Sequence, residues 1–287
     1  MCKRMRLGIF PNLDKEKVRL ALPDFINTCR EWDLEPLLPS DLQVDFECAA
    51  FDRSNTTEVE SLDAAVSLGG DGTLLQMAHY VAVAEVPAFG INFGRLGFLA
   101  EIDLPGMTKA ISKLAQHNYT VENRSMLQAE IVCGGKVDKT IHALNDLVFT
   151  KGVIGKMAHL QMYINGKPSG RYMADGLIVA TATGSTAYSL SAGGPLVMPE
   201  LEVSVINPIC AHSLTARTLV VPITECIELK SLSDEEESIL TADGQRIARI
   251  SQGAFVRIKK SCQSMRLIRL IKRDYYQTWQ QKLTRNL

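Results

Sequence analysis

Apolar residues follow one spacing before about residue 124 and another after it, and this change restricts the fold more than any single motif. In the first part, short apolar runs at 7–10, 64–68 and 86–91 are typical of buried strands. Between them, over 18–29 and 74–81, apolar residues recur at the spacing of a helix that buries one face. Strands that alternate with helices in this way predict a parallel sheet covered by helices.

After about residue 124 the apolar spacing is two, which is typical of antiparallel strands with one buried face. Apolar residues alternate over 127–133 and again over 160–164. These runs end at Gly134-Gly135 and at Asn165-Gly166, dipeptides that favour tight hairpin turns. Further short strands are expected at 176–180, 225–229, 239–242 and 255–258.

These two patterns predict an α/β N-terminal domain, with a parallel sheet and helices, followed by an antiparallel all-β C-terminal domain. The α/β domain is predicted over 1–122 and the β-rich domain over 123–265. The tail, 266–287, regains helical character and is expected to pack back on the first domain. Hydrophobic residues make up 46% of the chain, which is enough to bury substantial cores.

The overall charge excludes a global attraction to polyanions. There are 31 basic and 32 acidic residues, a net charge of −1, so we expect no binding to nucleic acid or to an anionic membrane surface. A polyanionic ligand would therefore need a local site.

Cysteine usage and hydropathy predict a cytoplasmic protein. The seven cysteines are an odd number and lack the spacing of a zinc site, so we expect reduced, mostly buried thiols and no protein-held metal cluster. No stretch approaches the roughly 18 apolar residues of a membrane helix, so no membrane span is expected.

A glycine-rich loop, Gly69-Gly70-Asp71-Gly72-Thr73, lies between a predicted strand and a predicted helix. Glycines let the backbone approach a bulky anion, and the start of a helix offers N–H groups and a favourable dipole. A carboxylate there repels phosphate unless it has a role, either in holding Mg²⁺ on a nucleotide or in accepting a proton from a hydroxyl. The structural alternative is a tight turn in which Asp71 caps the helix.

Two other segments carry polar groups suited to a nucleotide. Residues 175–195 run from a buried strand into a loop dense in small hydroxyl residues, where Tyr188 can stack on a flat ligand. Asn145-Asp146 follows another strand, and this pair can bind a ribose diol or an adenine edge. Each segment also has a structural alternative, either a loop that satisfies its own backbone or an ordinary strand end.

The combination of motifs resembles the NAD kinase family. The glycine loop 69–73 is followed, in the family's order, by 92–99, Asn145-Asp146, 175–195, 208–217 and 243–245. The resemblance spans roughly residues 5–275. The glycine loop is shared with lipid kinases and phosphofructokinases, whereas 181–195 together with 94–98 is much more specific.

The resemblance implies transfer of the γ-phosphoryl group of ATP to the 2′-hydroxyl of the adenosine ribose of NAD, giving NADP. Mg²⁺ would accompany ATP, and the chain would form a homo-oligomer, a dimer or a tetramer. Asp71 corresponds to the family's proton acceptor, and no residue is assigned as a protein ligand of a metal. The residues that correspond to the dinucleotide site are Asp71, Gly72, Phe98, Asn145, Asp146, His159, Asp175, Thr186, Ala187, Tyr188, Ser189, Leu190, Ser191 and Gln245.

Two other functions remain open from the sequence. A lipid or sphingoid kinase would share the glycine-loop domain but would have no dinucleotide site. A catalytically silent NAD(P) sensor would bind the dinucleotide without transferring phosphate. The sequence also leaves open ATP against polyphosphate as donor, and NAD against NADH as acceptor.

Overall fold

The computed structural model describes residues 4–94, 97–152, 158–213, 215–232, 237–271 and 274–284. The chain divides into two compact units, Met1–Asn123 with Ser264–Leu287, and Arg124–Gln263. Within the described residues, no helix has both the length and the apolar character needed to cross a membrane.

The helices and strands are numbered in chain order. In the first half of the chain they are β1 (Met5–Pro11), α1 (Glu16–Glu31), β2 (Leu34–Pro39), β3 (Ala49–Phe51), α2 (Thr56–Glu60), β4 (Ala64–Gly69), α3 (Asp71–Val81), β5 (Ala88–Asn92), β6 (Ile102–Asp103), α4 (Met107–Ala115), β7 (Thr120–Cys133) and β8 (Lys136–Ala143). In the second half they are β9 (Asp146–Lys151), β10 (Ala158–Ile164), β11 (Lys167–Ala174), β12 (Gly176–Thr181), α5 (Tyr188–Ser191), β13 (Val203–Ile209), β14 (Leu219–Pro222), β15 (Ile227–Ser231), β16 (Ser238–Ala242), β17 (Arg246–Ile250), β18 (Phe255–Arg269) and α6 (Tyr275–Thr284).

The first unit contains the predicted parallel sheet. Its strands lie in the order β3-β2-β1-β4-β5, all parallel, and the end of β18 pairs with β5 at Leu267 opposite Ala88. All six residues of β4 are buried, as expected for a strand covered on both faces. Helix α1 buries Val18, Leu22 and Phe25 with two further residues, which confirms the predicted helical spacing.

The connections of this sheet diverge at its centre. Strands β1 and β4 are neighbours, but the chain continues from β1 to β2 on one side and from β4 to β5 on the other. Such a topological switch point leaves a crevice at the carboxyl ends of the two strands, where ligands of α/β proteins commonly bind.

The second unit is built from antiparallel strands, so the predicted fold class is confirmed. One sheet has the order β14-β13-β12-β9-β16-β17, and β10 pairs with both β11 and β15. Apolar side chains such as Leu160, Leu177 and Leu240 form one buried cluster. The predicted turns at Gly134-Gly135 and Asn165-Gly166 have positive φ at both residues, the backbone that tight hairpins require.

Candidate active site

The carboxylate of Asp71 is held by backbone N–H groups from a distant part of the chain. Asp71 is the first residue of α3 and follows Gly69, which ends β4, and Gly70, the N-cap of α3. Its Oδ2 accepts the N–H of Phe98 at 2.6 Å, and its Oδ1 accepts those of Leu99 at 3.1 Å and Ala100 at 2.9 Å. The carboxylate therefore has a defined orientation, set by the segment 98–100 and not by a cap on its own helix.

Close packing around this carboxylate explains one glycine of the 92–99 motif. A Cβ atom at Gly97 would stand 1.8 Å from Oδ1 of Asp71, far inside contact distance. A side chain at 97 would therefore displace the carboxylate or the segment that binds it. Residues 95 and 96 of the same motif lie outside the described residues.

Phe98 lies beside the Asp71 carboxylate and contacts the C-terminal helix. The ammonium of Lys282, on α6, stands 3.8 Å from the centroid of the Phe98 ring, which is a cation–π geometry. Asp71, its neighbour Gly72 and Phe98 are thus brought together in the first unit. Phe98, which the family resemblance assigns to the dinucleotide site, is partly buried in this arrangement.

A buried arginine ties the same segment to the C-terminal helix. Arg269 has a side chain only 5% exposed and pairs with Glu101 and, at 2.8 Å, with Glu122. The hydroxyl of Tyr275, at the start of α6, donates to Glu122 at 3.1 Å. Burial alone would lower the pKa of Arg269, but the carboxylates of Glu101 and Glu122 more than offset this, and the net pKa is raised.

In the second unit, Asn145 and Asp146 are held by a residue far along the chain, Asp243. Its carboxylate accepts the N–H groups of Leu144 at 2.9 Å, Asn145 at 2.7 Å and Asp146 at 3.2 Å. Sequence reasoning noted the Asp243-Gly244-Gln245 motif but did not assign Asp243 to the site. The Asp243-Gly244 dipeptide, which favours a turn, was the available signal in the sequence, and the structure gives Asp243 a positive φ.

The carboxyl group of Asp146 is buried and electrostatically unusual. The residue is 3% exposed, and burial, reinforced by the charge of Asp243, raises the pKa of Asp146 to about 7. A hydrogen bond from the backbone of Tyr188 offsets part of this rise. Burial also raises the pKa of Asp243, although the three N–H groups that it accepts favour its charged form. Asp146 is therefore the member of the pair that we expect to hold a proton near neutral pH.

The hydroxyl-rich loop packs directly on the Asn145-Asp146 pair. Thr181 donates its N–H to the carbonyl of Asn145 at 2.8 Å and its hydroxyl to Leu144 at 2.7 Å. At Gly184, a Cβ atom would stand 2.0 Å from the Asn145 carbonyl oxygen, so only glycine allows this approach. The structure thereby brings Asn145 and Asp146 next to the predicted residues 186–191.

Members of the 186–191 segment differ in exposure. Tyr188 is 45% exposed and is available to a ligand, whereas Ser189 is fully buried. The carbonyl of Ser189 accepts hydrogen bonds from Asn207 at 3.0 Å and from the backbone of Gly194 at 2.8 Å. Ser189 therefore lies on the buried side of the loop, where its carbonyl helps to hold the loop in place.

The remaining predicted residues lie at other places in the second unit. Asp175 is exposed and precedes β12, whereas Asp146 pairs with Ala180 near the end of that strand. Five residues of extended strand separate the two positions by about 16 Å. His159 is exposed on β10, opposite Met173 on β11, and Gln245 follows the turn after β16.

No metal cluster is formed by the parts of the chain that the structure describes. In them, no group of three or more His, Cys, Asp or Glu side chains is arranged to hold a metal ion.

Comparisons with known proteins connect these features to one family. The family profile for the ATP-NAD kinase N-terminal domain matches residues 29–119, and that for the C-terminal domain matches residues 144–270. The chain belongs to the NAD kinase family. The NAD kinase of Thermoanaerobacter sp. is 36% identical over 279 residues, 97% of this chain and 99% of that protein. The NAD kinase of Moorella thermoacetica is 40% identical over 278 residues, 97% of this chain and 89% of that protein.

Solved structures of the NAD kinase family share the fold. A yeast NADH kinase crystallised with NADH has a TM-score of 0.87 at 24% identity, with 98% of this chain and 88% of that chain covered. An NAD kinase from Archaeoglobus fulgidus in complex with ATP has a TM-score of 0.72 at 26% identity, covering 92% of this chain and 93% of that chain.

Proposed function

We propose that this chain transfers the γ-phosphoryl group of ATP to the 2′-hydroxyl of the adenosine ribose of NAD, with Asp71 as the proton acceptor. The observation that carries the proposal is the orientation of the Asp71 carboxylate. This carboxylate, in the glycine loop, is held by the backbone N–H groups of residues 98–100. The relatives at 36–40% identity support NAD as the acceptor. They offer no support for a lipid kinase or a silent sensor.

Asp71 suits the role of base because its position is fixed before substrate binds. A ribose hydroxyl is a poor acid, so its attack on phosphorus is assisted when a carboxylate takes the proton as the new P–O bond forms. Oδ2 of Asp71 accepts one N–H, from Phe98, whereas Oδ1 accepts two. A carboxylate oxygen has about two acceptor directions, so Oδ2 is the atom that we expect to receive the proton.

We propose that Asn145, Asp146 and Tyr188 of the second unit contact the dinucleotide. Asp146 would accept hydrogen bonds from a ribose diol, and Asn145 would add amide donors and acceptors beside it. The exposed ring of Tyr188 would pack on the ligand, since the backbone of Tyr188 already contacts the carboxyl of Asp146. Gly72, Phe98, Thr186, Ala187, Leu190, Ser191 and Gln245 are proposed as further contacts.

Mg²⁺ is proposed to enter as the complex with ATP. This ion keeps several waters and is usually held by substrate phosphates with one or two carboxylates, not by an all-protein cage. Its charge would offset the phosphate charge during transfer. The protein's own contribution would be to orient the phosphates and hold the base.

Asp175 is proposed to contact the nicotinamide end of the dinucleotide, and His159 is proposed as a further contact. The enzyme is proposed to be a homo-oligomer. Asp175 precedes β12, whereas Ala180, which pairs with Asp146, lies near the end of that strand, so the two carboxylates can meet different parts of an extended ligand. A cytoplasmic location stays a prediction from the sequence.

The experiment is an assay of the purified full chain with ATP, Mg²⁺ and NAD, in which NADP is quantified with a dehydrogenase specific for NADP. We expect NADP to accumulate, and to require both ATP and NAD. NAD binding without NADP formation would instead identify a sensor, and phosphorylation of diacylglycerol or sphingosine would identify a lipid kinase.

A further inference from the structure

Two loops border the switch point of the parallel sheet. One follows β1 and comprises residues 12–15, and the other is the glycine loop that follows β4. The N–H of Asn12 donates to the carbonyl of Leu68 at 2.9 Å, which ties the first loop to the strand that leads into the second. Ligand groups that bind at a switch point are in reach of both loops.

Lys15 extends from the first loop to the second. Its backbone N–H donates to the Asn12 carbonyl at 3.2 Å, and its own carbonyl accepts the N–H of Val18 at 2.9 Å, so the residue stands at the N-cap position of helix α1. Its Nζ donates to the carbonyl of Gly69 at 2.9 Å. The same Nζ stands 3.4 Å from the position of a Cβ built on Gly70. The ammonium is therefore fixed beside the glycines that precede Asp71.

The hydrogen bond to Gly69 does not explain why a lysine is needed at position 15. The Gly69 carbonyl also accepts the N–H of Phe93 at 3.1 Å, so this oxygen keeps a partner without Lys15. An ammonium has three N–H donors and the carbonyl engages one, while the residue stays exposed to solvent. Asp14 and Glu16, on either side of Lys15 in sequence, are exposed acids, and the basic residues Lys17 and Arg19 follow on helix α1.

We propose that Lys15 binds the β- and γ-phosphates of ATP and positions the transferred group in front of Asp71, an inference that rests on the proposed kinase activity. A lysine acts on phosphate as a compact point charge with rotatable donors. At this place it would neutralise charge that the Asp71 carboxylate would otherwise repel. The sequence motifs of the family resemblance did not include Lys15.

The test measures steady-state kinetics of the full chain carrying Lys15→Ala, Lys15→Arg or the control Lys17→Ala. Lys17 is also an exposed lysine of helix α1, two residues further on. For Lys15→Ala we expect the KM for ATP to rise about tenfold to a hundredfold, the factor that a charge-assisted hydrogen bond carries. The KM for NAD and the Tm should stay close to those of the parent, and Lys15→Arg should recover most of the loss.

The salt dependence of the KM for ATP distinguishes an electrostatic contact between Lys15 and phosphate from a purely structural role of Lys15 in supporting the loop. A cation that binds phosphate makes the KM for ATP rise with KCl, so Lys15→Ala should show a shallower dependence than the parent or Lys17→Ala. An unchanged KM for ATP in Lys15→Ala would overturn the proposal. A parallel rise in both KM values with a lower Tm would also overturn it, because that pattern indicates support of the loop. Failure of the parent chain to make NADP would instead refute the kinase activity itself.

Discussion

Asp146 and Asp243 are joined by two hydrogen bonds that run in opposite directions. The N–H of Asp243 donates to the carbonyl of Asp146 at 2.9 Å, and the N–H of Asp146 donates to the carboxylate of Asp243 at 3.2 Å. The chain thus holds two buried acidic side chains close together, although like charges in a buried place repel. This arrangement makes stability and binding depend on the proton of Asp146.

Stability without ligand should fall as pH rises toward neutrality. The pKa of Asp146 is about 7 in the fold and 3.8 as its ordinary value, so the folded state binds the proton more tightly than the unfolded state. This contribution is complete below the unfolded pKa and is lost as pH rises through the folded pKa. Asp146→Asn keeps a neutral group, so it should be more stable than the parent at about pH 8 by on the order of 2 kcal/mol, with a smaller gain at about pH 5.

Urea unfolding at the two pH values measures this difference. Asp138→Asn, at an exposed position of β8, is the matched control and should follow the parent at both pH values. Parallel pH curves for the parent and Asp146→Asn would show that Asp146 is not the proton-binding group.

Binding of NAD should release a proton below neutral pH. If ribose hydroxyls donate to Asp146, the ligand favours the charged carboxylate, so affinity should increase as pH rises through about 7. Calorimetry in buffers of different ionisation enthalpy should detect up to about one proton released per NAD near pH 6 and much less near pH 8. Asp146→Asn should bind more weakly and lose this linkage. A pH-independent affinity in the parent would contradict the assignment of Asp146 to the ribose.

Asp71→Asn should separate binding from turnover. An amide cannot accept the proton, so we expect kcat to fall by about 10²–10⁴-fold while NAD affinity changes little. The amide NH₂ would also face backbone donors of residues 98–100, so the Tm should fall as one acceptor is lost. NADP assays and NAD titration of the same preparation measure both effects. Turnover close to that of the parent would exclude Asp71 as the base.

Gly97→Ala should inactivate the enzyme through the position of Asp71. The added methyl would stand 1.8 Å from the Asp71 carboxylate, so the base must move. A misplaced catalytic group of this kind costs about a hundredfold in kcat. The control is Gly94→Ala, where the added methyl would meet only Asn92, at 3.7 Å, and where φ is not positive. Equal activity of the two variants would argue against close packing at 97.

Arg269→Met should destabilise the first unit. The substitution leaves Glu101 and Glu122 without the guanidinium that they share, and breaking a buried ion pair costs about 3–5 kcal/mol; the partial exposure of Glu122 places the expected loss at the lower end. Tyr275→Phe removes only hydroxyl contacts and should cost about 1 kcal/mol. Thermal unfolding measured by circular dichroism compares the two. A smaller loss of stability for Arg269→Met than for Tyr275→Phe would contradict the conclusion that the ion pairs of Arg269 stabilise the first unit.

Local patterns in the sequence predicted the fold class well because burial periodicity is a short-range signal. The apolar stripe of α1 and the turn at Asn165-Gly166 both follow from residues close in sequence. The strand predicted at 255–258 is much longer, Phe255–Arg269, because the polar run 259–263 obscures the alternation. The glycine loop was placed correctly between a strand and a helix.

The interior of the site was not predictable because it depends on contacts between distant residues. Asp71 is held by N–H groups 27–29 positions away, and backbone N–H groups have no residue-specific signature. Asp243 meets the N–H of Asp146 across 97 positions, and Lys15 meets Gly69 across 54. Only the folded sheet brings these partners together.

The way Asp71 is held has a consequence for how enzymes of this kind can diversify. Because residues 98–100 bind the carboxylate through their main chain, their side chains can change without releasing it. Selection for a different acceptor can therefore act on Phe98 while the chemistry stays in place. Insertions or deletions between 97 and 100 have no such freedom, since they would shift the whole row of donors.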